Sequence, residues 1–170
     1  LPVFEAAGDE LALRIAYRAL GSVANMRAHM DRMAAAYEQA AAHVAPAGGT
    51  ALVGYQGHAR FHGSTPVTAL LAWLDTQDPR EQRTYWLRTF RMTALAMLAR
   101  IDDARALLDE LRAELIERGA RTVLAAVEGY AMYIELLAGD LAAATAAGET
   151  GCRLDDELGH SAELSTLAGT

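Results

Sequence analysis

Met33-Ala34-Ala35-Ala36-Tyr37-Glu38-Gln39-Ala40 sets small residues and one aromatic at helical spacing. The small-residue signature returns at Ala69-Leu70-Leu71-Ala72-Trp73, at Ala104-Arg105-Ala106-Leu107-Leu108 and at Ala144-Thr145-Ala146-Ala147. Successive copies lie 36, 35 and 40 residues apart. A fixed period of this length marks an array of paired helices, for which about 34 residues is typical. One hairpin cannot bury its own apolar face, so its neighbours must stack on it. Such an array offers a surface for binding rather than a pocket for chemistry.

The composition fits. The chain has 170 residues, of which 52% are hydrophobic, 22% are charged and only four are Pro. Ala, the strongest helix former, is abundant and packs helices closely. All 15 basic residues are Arg, and the net charge is −7. An acidic balance disfavours nucleic acid, whose affinity rests on clustered cations. No apolar run reaches membrane-spanning length. The one cysteine, Cys152, cannot form an internal disulfide, which points to a reducing, cytoplasmic setting.

Punctuation along the chain divides it into hairpins at about 10–45, 50–76, 80–118 and 120–158, within one helical segment covering 1–170. Residues 1–7 read as the tail of a helix whose start is missing, stopped by Gly8, with Asp9 as the next N-cap. Asp31 reads as the cap of a helix over 31–45 that ends at Pro46-Ala47-Gly48-Gly49. Thr50 to Tyr55 opens a helix over 50–60, although the same residues admit a short strand. Thr65 caps and Pro66 starts a helix over 66–76. A single helix is expected over 80–98, then one capped by Asp102 and ending at Arg118, one over 120–137, and one capped by Asp140 and ending near Leu158. A ninth, unpaired helix is expected over 160–168. Neither end carries a polar capping repeat, which implies a fragment of a longer protein. The apolar ends, with Leu1, Val3 and Phe4 at one of them, predict self-association.

Catalytic and cofactor signals are weak. Without Lys there is no phosphate-binding loop of the Gly-rich, Lys-Ser/Thr type. The glycines between Gly54 and Gly63 alternate with Tyr55, His58, Arg60, Phe61 and His62, unlike a dinucleotide fingerprint. His58 and His62 share a helix face, but a metal site needs further ligands. His29, His43 and His160 are scattered. Glu110, Glu114 and Glu117 with Arg112 and Arg118 read as a solvated charged face. Trp73 and Trp86 read as core residues at hairpin junctions, with groove lining as the alternative. The reading is therefore no catalytic residue, no cofactor and no metal.

Tyr17, Leu20, Gly21, Met33, Tyr37 and Ala40 resemble the aromatic, Leu, Gly, small, aromatic, Ala pattern of the tetratricopeptide repeat. Looser matches are Ala99, Ile101, Ala104 and Leu108, then Gly139, Leu141 and Ala144, with Gly148 standing where the family prefers a large residue. Phe4 to Glu10, Leu95 to Arg105 and Glu135 to Asp140 also resemble the C-terminal helical region of large actinobacterial signalling ATPases. Those proteins join such an array to an NTPase module and a nucleotide cyclase or DNA-binding domain. The resemblance implies an all-α, right-handed superhelix of about four hairpins. It implies a regulatory, protein- or peptide-binding segment whose first helices line a concave face. Mapped here, that face would expose Arg18, Ser22, Asn25, His58, Phe61, Trp86, Thr93 and Tyr133. Arg and aromatics are the residues enriched at binding hot spots. The alternatives are a structural spacer or dimerisation array, and an enzyme with a clustered site.

Overall fold

The computed structural model describes residues 1–43 and 50–160. Every regular element among them is helical. In chain order the helices are α1 (Pro2–Ala7), α2 (Glu10–Met26), α3 (Met30–Ala42), α4 (Thr50–His62), α5 (Val67–Asp75), α6 (Pro79–Gln82), α7 (Tyr85–Met97), α8 (Ile101–Glu117), α9 (Arg121–Ala138) and α10 (Leu141–Leu158). The strand alternative at 50–55 is thereby excluded. The Pro46–Gly49 stop and residues 161–168 of the expected ninth helix lie outside the described residues. The chain divides into two compact units, Leu1–Leu87 and Arg88–Thr170, with the boundary inside α7.

One turn recurs in both units. Gly8, Ala28, Ala99, Gly119, Gly139 and Gly159 all have positive φ, between 54° and 77°. In each case the next residue's N–H reaches five residues back: Asp9 to the Phe4 carbonyl, His29 to Ala24, Arg100 to Leu95, Ala120 to Leu115, Asp140 to Glu135 and His160 to Asp155. This is the Schellman closure, in which a left-handed residue satisfies carbonyls that the helix end leaves open. After the first five, the residue following the left-handed one is the N-cap of the next helix. Asp9 and Asp140 fill that place, and their carboxylates accept from the N–H groups of Ala12 and Ala143, as expected.

Three expected caps are corrected, two of them by this rule. His29, not Asp31, caps α3, and Arg100, not Asp102, caps α8; both aspartates fall inside the first turn. The Asp31 carboxylate instead accepts from the backbone N–H and hydroxyl of Ser64. Pro66, not Thr65, precedes α5. The single helix expected over 80–98 is also broken. The Asp78 carboxylate caps α6 through the Arg80 N–H, and the Thr84 hydroxyl donates to the Glu81 carbonyl at 2.7 Å. A side chain competing for a backbone carbonyl ends the helix before α7 begins.

In the first unit α2 packs on α3, α3 on α4 and α4 on α5. Ala24, Met33, Tyr37, Ala40, Leu52 and Ala59 form one buried cluster, with Tyr17 at its margin. Gly21 makes the α2–α3 approach close: a Cβ there would sit 2.6 Å from the Tyr37 ring. At the α3–α4 rim Arg60 pairs with Glu38 at 2.6 Å and lies over the Trp73 ring.

In the second unit two ion pairs set the register of α8 against α9. Arg105 grips Glu135, and Arg112 grips Glu128, each guanidinium reaching both carboxylate oxygens. The partners are seven residues apart on both helices, as antiparallel pairing requires. The glutamates are buried while the arginines keep an edge in water. Hydrogen bonding to Glu128 holds the Arg112 guanidinium above its ordinary pKa. The charged face of α8 is thus not simply solvated, since Arg112 is spent on the neighbouring helix. Against α9, α10 turns Ala144, Ala147, Gly148 and Gly151, all buried, and small residues of this kind let two helices approach closely. Ala104 is fully buried.

Ala28 and Ala99 hold a conformation that costs an L-residue about 1–2 kcal/mol. Glycine removes that strain but adds freedom to the unfolded chain, worth about 0.4–1 kcal/mol. Ala28→Gly and Ala99→Gly should each stabilise by about 0.5 kcal/mol on balance, read as a higher urea midpoint. Gly139→Ala should do the reverse, because no atom within 4 Å would touch the new Cβ and only backbone strain is added. Ala28→Gly and Ala99→Gly variants melting below the parent would refute the turn assignment.

Candidate binding surface

The sequence-mapped residues separate into three groups. Arg18, Ser22 and Asn25 stand three and four apart on α2, and all are exposed. His58 and Phe61 on α4 are half-buried, while Trp86 at the start of α7 is 38% exposed. The remaining two belong to the second unit. Tyr133 is 43% exposed, but Thr93 is buried and donates its hydroxyl to the Thr89 carbonyl. Thr93 therefore does not belong to an exposed face. Its hydroxyl satisfies itself on the preceding turn, the usual arrangement for a buried helical Thr.

Within the first unit, four of the mapped residues fall on one continuous track. The Ser22 hydroxyl is 3.3 Å from the Tyr37 hydroxyl. The Tyr37 ring stacks on Tyr55, with centroids 4.8 Å apart and planes 4° from parallel. Tyr55 is close enough to Tyr85 to raise the Tyr85 pKa, a shift due first to burial. Tyr85 packs on Trp86, Trp86 meets the edge of His58, His58 lies 4.4 Å from His62, and His62 meets Phe61. The band thus crosses from α2 over α3 and α4 to the start of α7. Trp86 lies against Gly54, where a Cβ would come within 3.3 Å of the indole. That contact explains a glycine inside a helix, a position that otherwise costs about 1 kcal/mol.

Trp86 is thus not the core residue expected, whereas Trp73 is half-buried under Arg60. Reading from sequence missed Tyr37, Tyr55, Tyr85 and His62 as members of the band. A signal existed for α4: Tyr55, His58 and His62 recur at three and four, which puts them on one helix face.

The band is uncharged at neutral pH. Burial, reinforced by His62, lowers the His58 pKa to about 4, and burial also lowers that of His62. Neutral imidazoles are also the form that binds metal. Among the described residues, however, no three His, Cys, Asp or Glu side chains converge on one point. What the band presents is π-faces, ring edges and hydroxyls, with 44% of Tyr55 and 38% of Trp86 open to solvent. Amphipathic rings with few rotatable bonds give large contact area at low entropic cost.

A depressed His58 pKa makes stability depend on pH with a definite sign. The unfolded chain takes up a proton near pH 6.5, the folded protein only near 4. Stability is complete above pH 6.5, falls as the pH drops from 6.5 to 4, and levels off below. His58→Phe keeps a ring against Trp86 and should flatten that fall. Proton NMR should place the His58 titration near pH 4. A His58 titration at 6.5 would show that the ring is not held in the band.

No helix among the described residues is long and apolar enough to cross a membrane. Comparison with family models, curated proteins and solved structures finds no match to the chain.

Proposed function

We propose that the chain is a divergent tetratricopeptide-like array, a right-handed superhelix serving as a non-catalytic peptide-binding segment of a multidomain signalling ATPase in the cytoplasm. The observation that carries the binding reading is the aromatic band. Tyr55 and Trp86 are large, partly exposed rings held in place by stacking and by Gly54. Rigid, half-exposed aromatics of this kind are typical anchors of binding energy. The packing of Gly21 against Tyr37, beside Met33 and Ala40, supports the repeat assignment, because these are positions of the repeat pattern. The band takes no part in metal or acid–base chemistry in this reading, and its ligand is an extended peptide that buries its side chains against the rings.

Panning a random peptide library on the full chain tests this directly. Trp73→Phe makes Trp86 the sole tryptophan and hence the reporter. Selected peptides should shift its fluorescence and should lose about tenfold or more in affinity on Tyr55→Ala or Trp86→Ala, the loss typical of hot-spot aromatics. Peptides that bind both variants as tightly as the parent would overturn the reading.

A second reading, a self-associating array, is favoured by one observation. Val3, Leu11 and Ile15 on α1 and α2 are 76%, 66% and 57% exposed. Light scattering at micromolar concentration should show a dimer that Leu11→Glu with Ile15→Glu dissociates. A monomer at all concentrations would remove this reading.

A further inference from the structure

The α2–α3 pair carries an open trough of about 340 Å³, lined on α3 by residues other than the buried Met33, Tyr37 and Ala40 and touching that cluster on α2 at Ala24 and Tyr17. Its floor is aliphatic: Leu20 and Val23, 48% and 39% exposed, lie opposite Ala35 and Ala36. Arg27 and Arg32 line it at the end nearest the α2–α3 turn. No carboxylate lines the trough, although acidic residues outnumber basic ones 22 to 15 in the chain. The carboxylates of α3 are committed elsewhere, Asp31 to Ser64 and Glu38 to Arg60. Among the described residues neither the Arg27 nor the Arg32 guanidinium has an ion-pair or hydrogen-bond partner.

The lining runs from Tyr17 to Arg27 on α2 and back along α3, a length of about 15 Å at 1.5 Å per residue. That is about three helical turns. Two antiparallel helices present ridges and a groove that accept a third helix. On its other face α3 already receives one: α4 packs there through the apolar cluster, with the Arg60–Glu38 pair at the rim. The trough repeats that design with the cations on the receiving side and the carboxylates missing.

We propose that the trough docks an amphipathic helix of a separate polypeptide, with an aliphatic stripe over Leu20 and Val23 and carboxylates at one end for Arg27 and Arg32. The floor contributes apolar burial, and the two arginines set the direction in which the helix lies. Charge pairing of this kind decides partner and register more than raw affinity. The site is independent of the aromatic band, since the two share no residue.

The test uses two fluorescent Ala-rich peptides of about 14 residues, long enough to be partly helical. Both carry Leu at helical spacing; one has a Glu cluster in its first turn and the other has Lys there. Anisotropy on the full chain should show saturable binding of the Glu peptide, about tenfold tighter than the Lys peptide at low salt. Charge reversal of both exposed arginines, Arg27→Glu with Arg32→Glu, should invert that preference. Ala36→Trp, which fills the floor, should abolish binding of both peptides, with an unchanged dichroism spectrum showing that the fold survives. Equal affinity for the two peptides would overturn the proposal. So would a preference for Glu that survives the charge reversal, or binding that is lost on Trp86→Ala in place of Ala36→Trp.

Discussion

Five helix junctions, α1–α2, α2–α3, α7–α8, α8–α9 and α9–α10, each depend on one left-handed residue and the hydrogen bond that crosses it. The N–H five residues beyond a helical carbonyl can reach it only if the chain reverses within a single residue. That reversal brings the next helix back antiparallel, with its N-cap immediately after the bend. In the second unit the bends fall at Ala99, Gly119, Gly139 and Gly159, twenty residues apart, so a helix pair recurs every forty. In the first unit Gly8 and Ala28 keep the same interval. Helices of 17 or 18 residues follow from this spacing, as α2, α8, α9 and α10 show. The period is longer than the 34 residues usual for paired-helix repeats.

The bend explains which parts of the fold could be read from sequence. Where the left-handed residue is Gly and the next residue is Asp, both signals agree, and the starts of α2 and α10 were legible from Gly8-Asp9 and Gly139-Asp140. Ala28 and Ala99 hide the bend, because Ala signals helix. The nearest capping residues, Asp31 and Asp102, then mislead by two residues. The break before α7 was illegible for another reason. It depends on the Thr84 hydroxyl turning to the Glu81 carbonyl and on Gln82 reaching the carbonyls of Asp75 and Gln77. These are choices of rotamer rather than of composition.

The aromatic band was half legible for a similar reason. Helical spacing assigns residues to a face of their own helix but not to a neighbour. His58, Phe61 and Trp86 were found from their place in the repeat, whereas Tyr37 and Tyr85 join them only through tertiary packing. Arg112 illustrates the converse. Its own helix offers Asp109 at i−3, 3.8 Å from Nη1, but Glu128 on α9 takes Nε and Nη2 at shorter range because a buried carboxylate has more to lose than an exposed one. A charged stripe that looks solvated in sequence thus sets the register between helices.

The two hairpins whose inner contacts are clearest solve one packing problem in opposite ways. In the first, the small residue is on the leading helix: Gly21 admits the ring of Tyr37, sixteen residues later. In the last, the large residue leads: Met132 on α9 reaches Gly148 on α10, again sixteen residues later, with Sδ 3.2 Å from where a Cβ would stand. The gap between two helices must be filled to interior density, but either side can fill it. What the backbone requires is the sum of the two volumes, not the residue at each place. Exchanging large for small across the contact therefore leaves the hairpin intact while erasing its residue-by-residue pattern. Gly148 then looks like a departure from the repeat, although with Met132 opposite it satisfies the same constraint that Tyr37 and Gly21 satisfy.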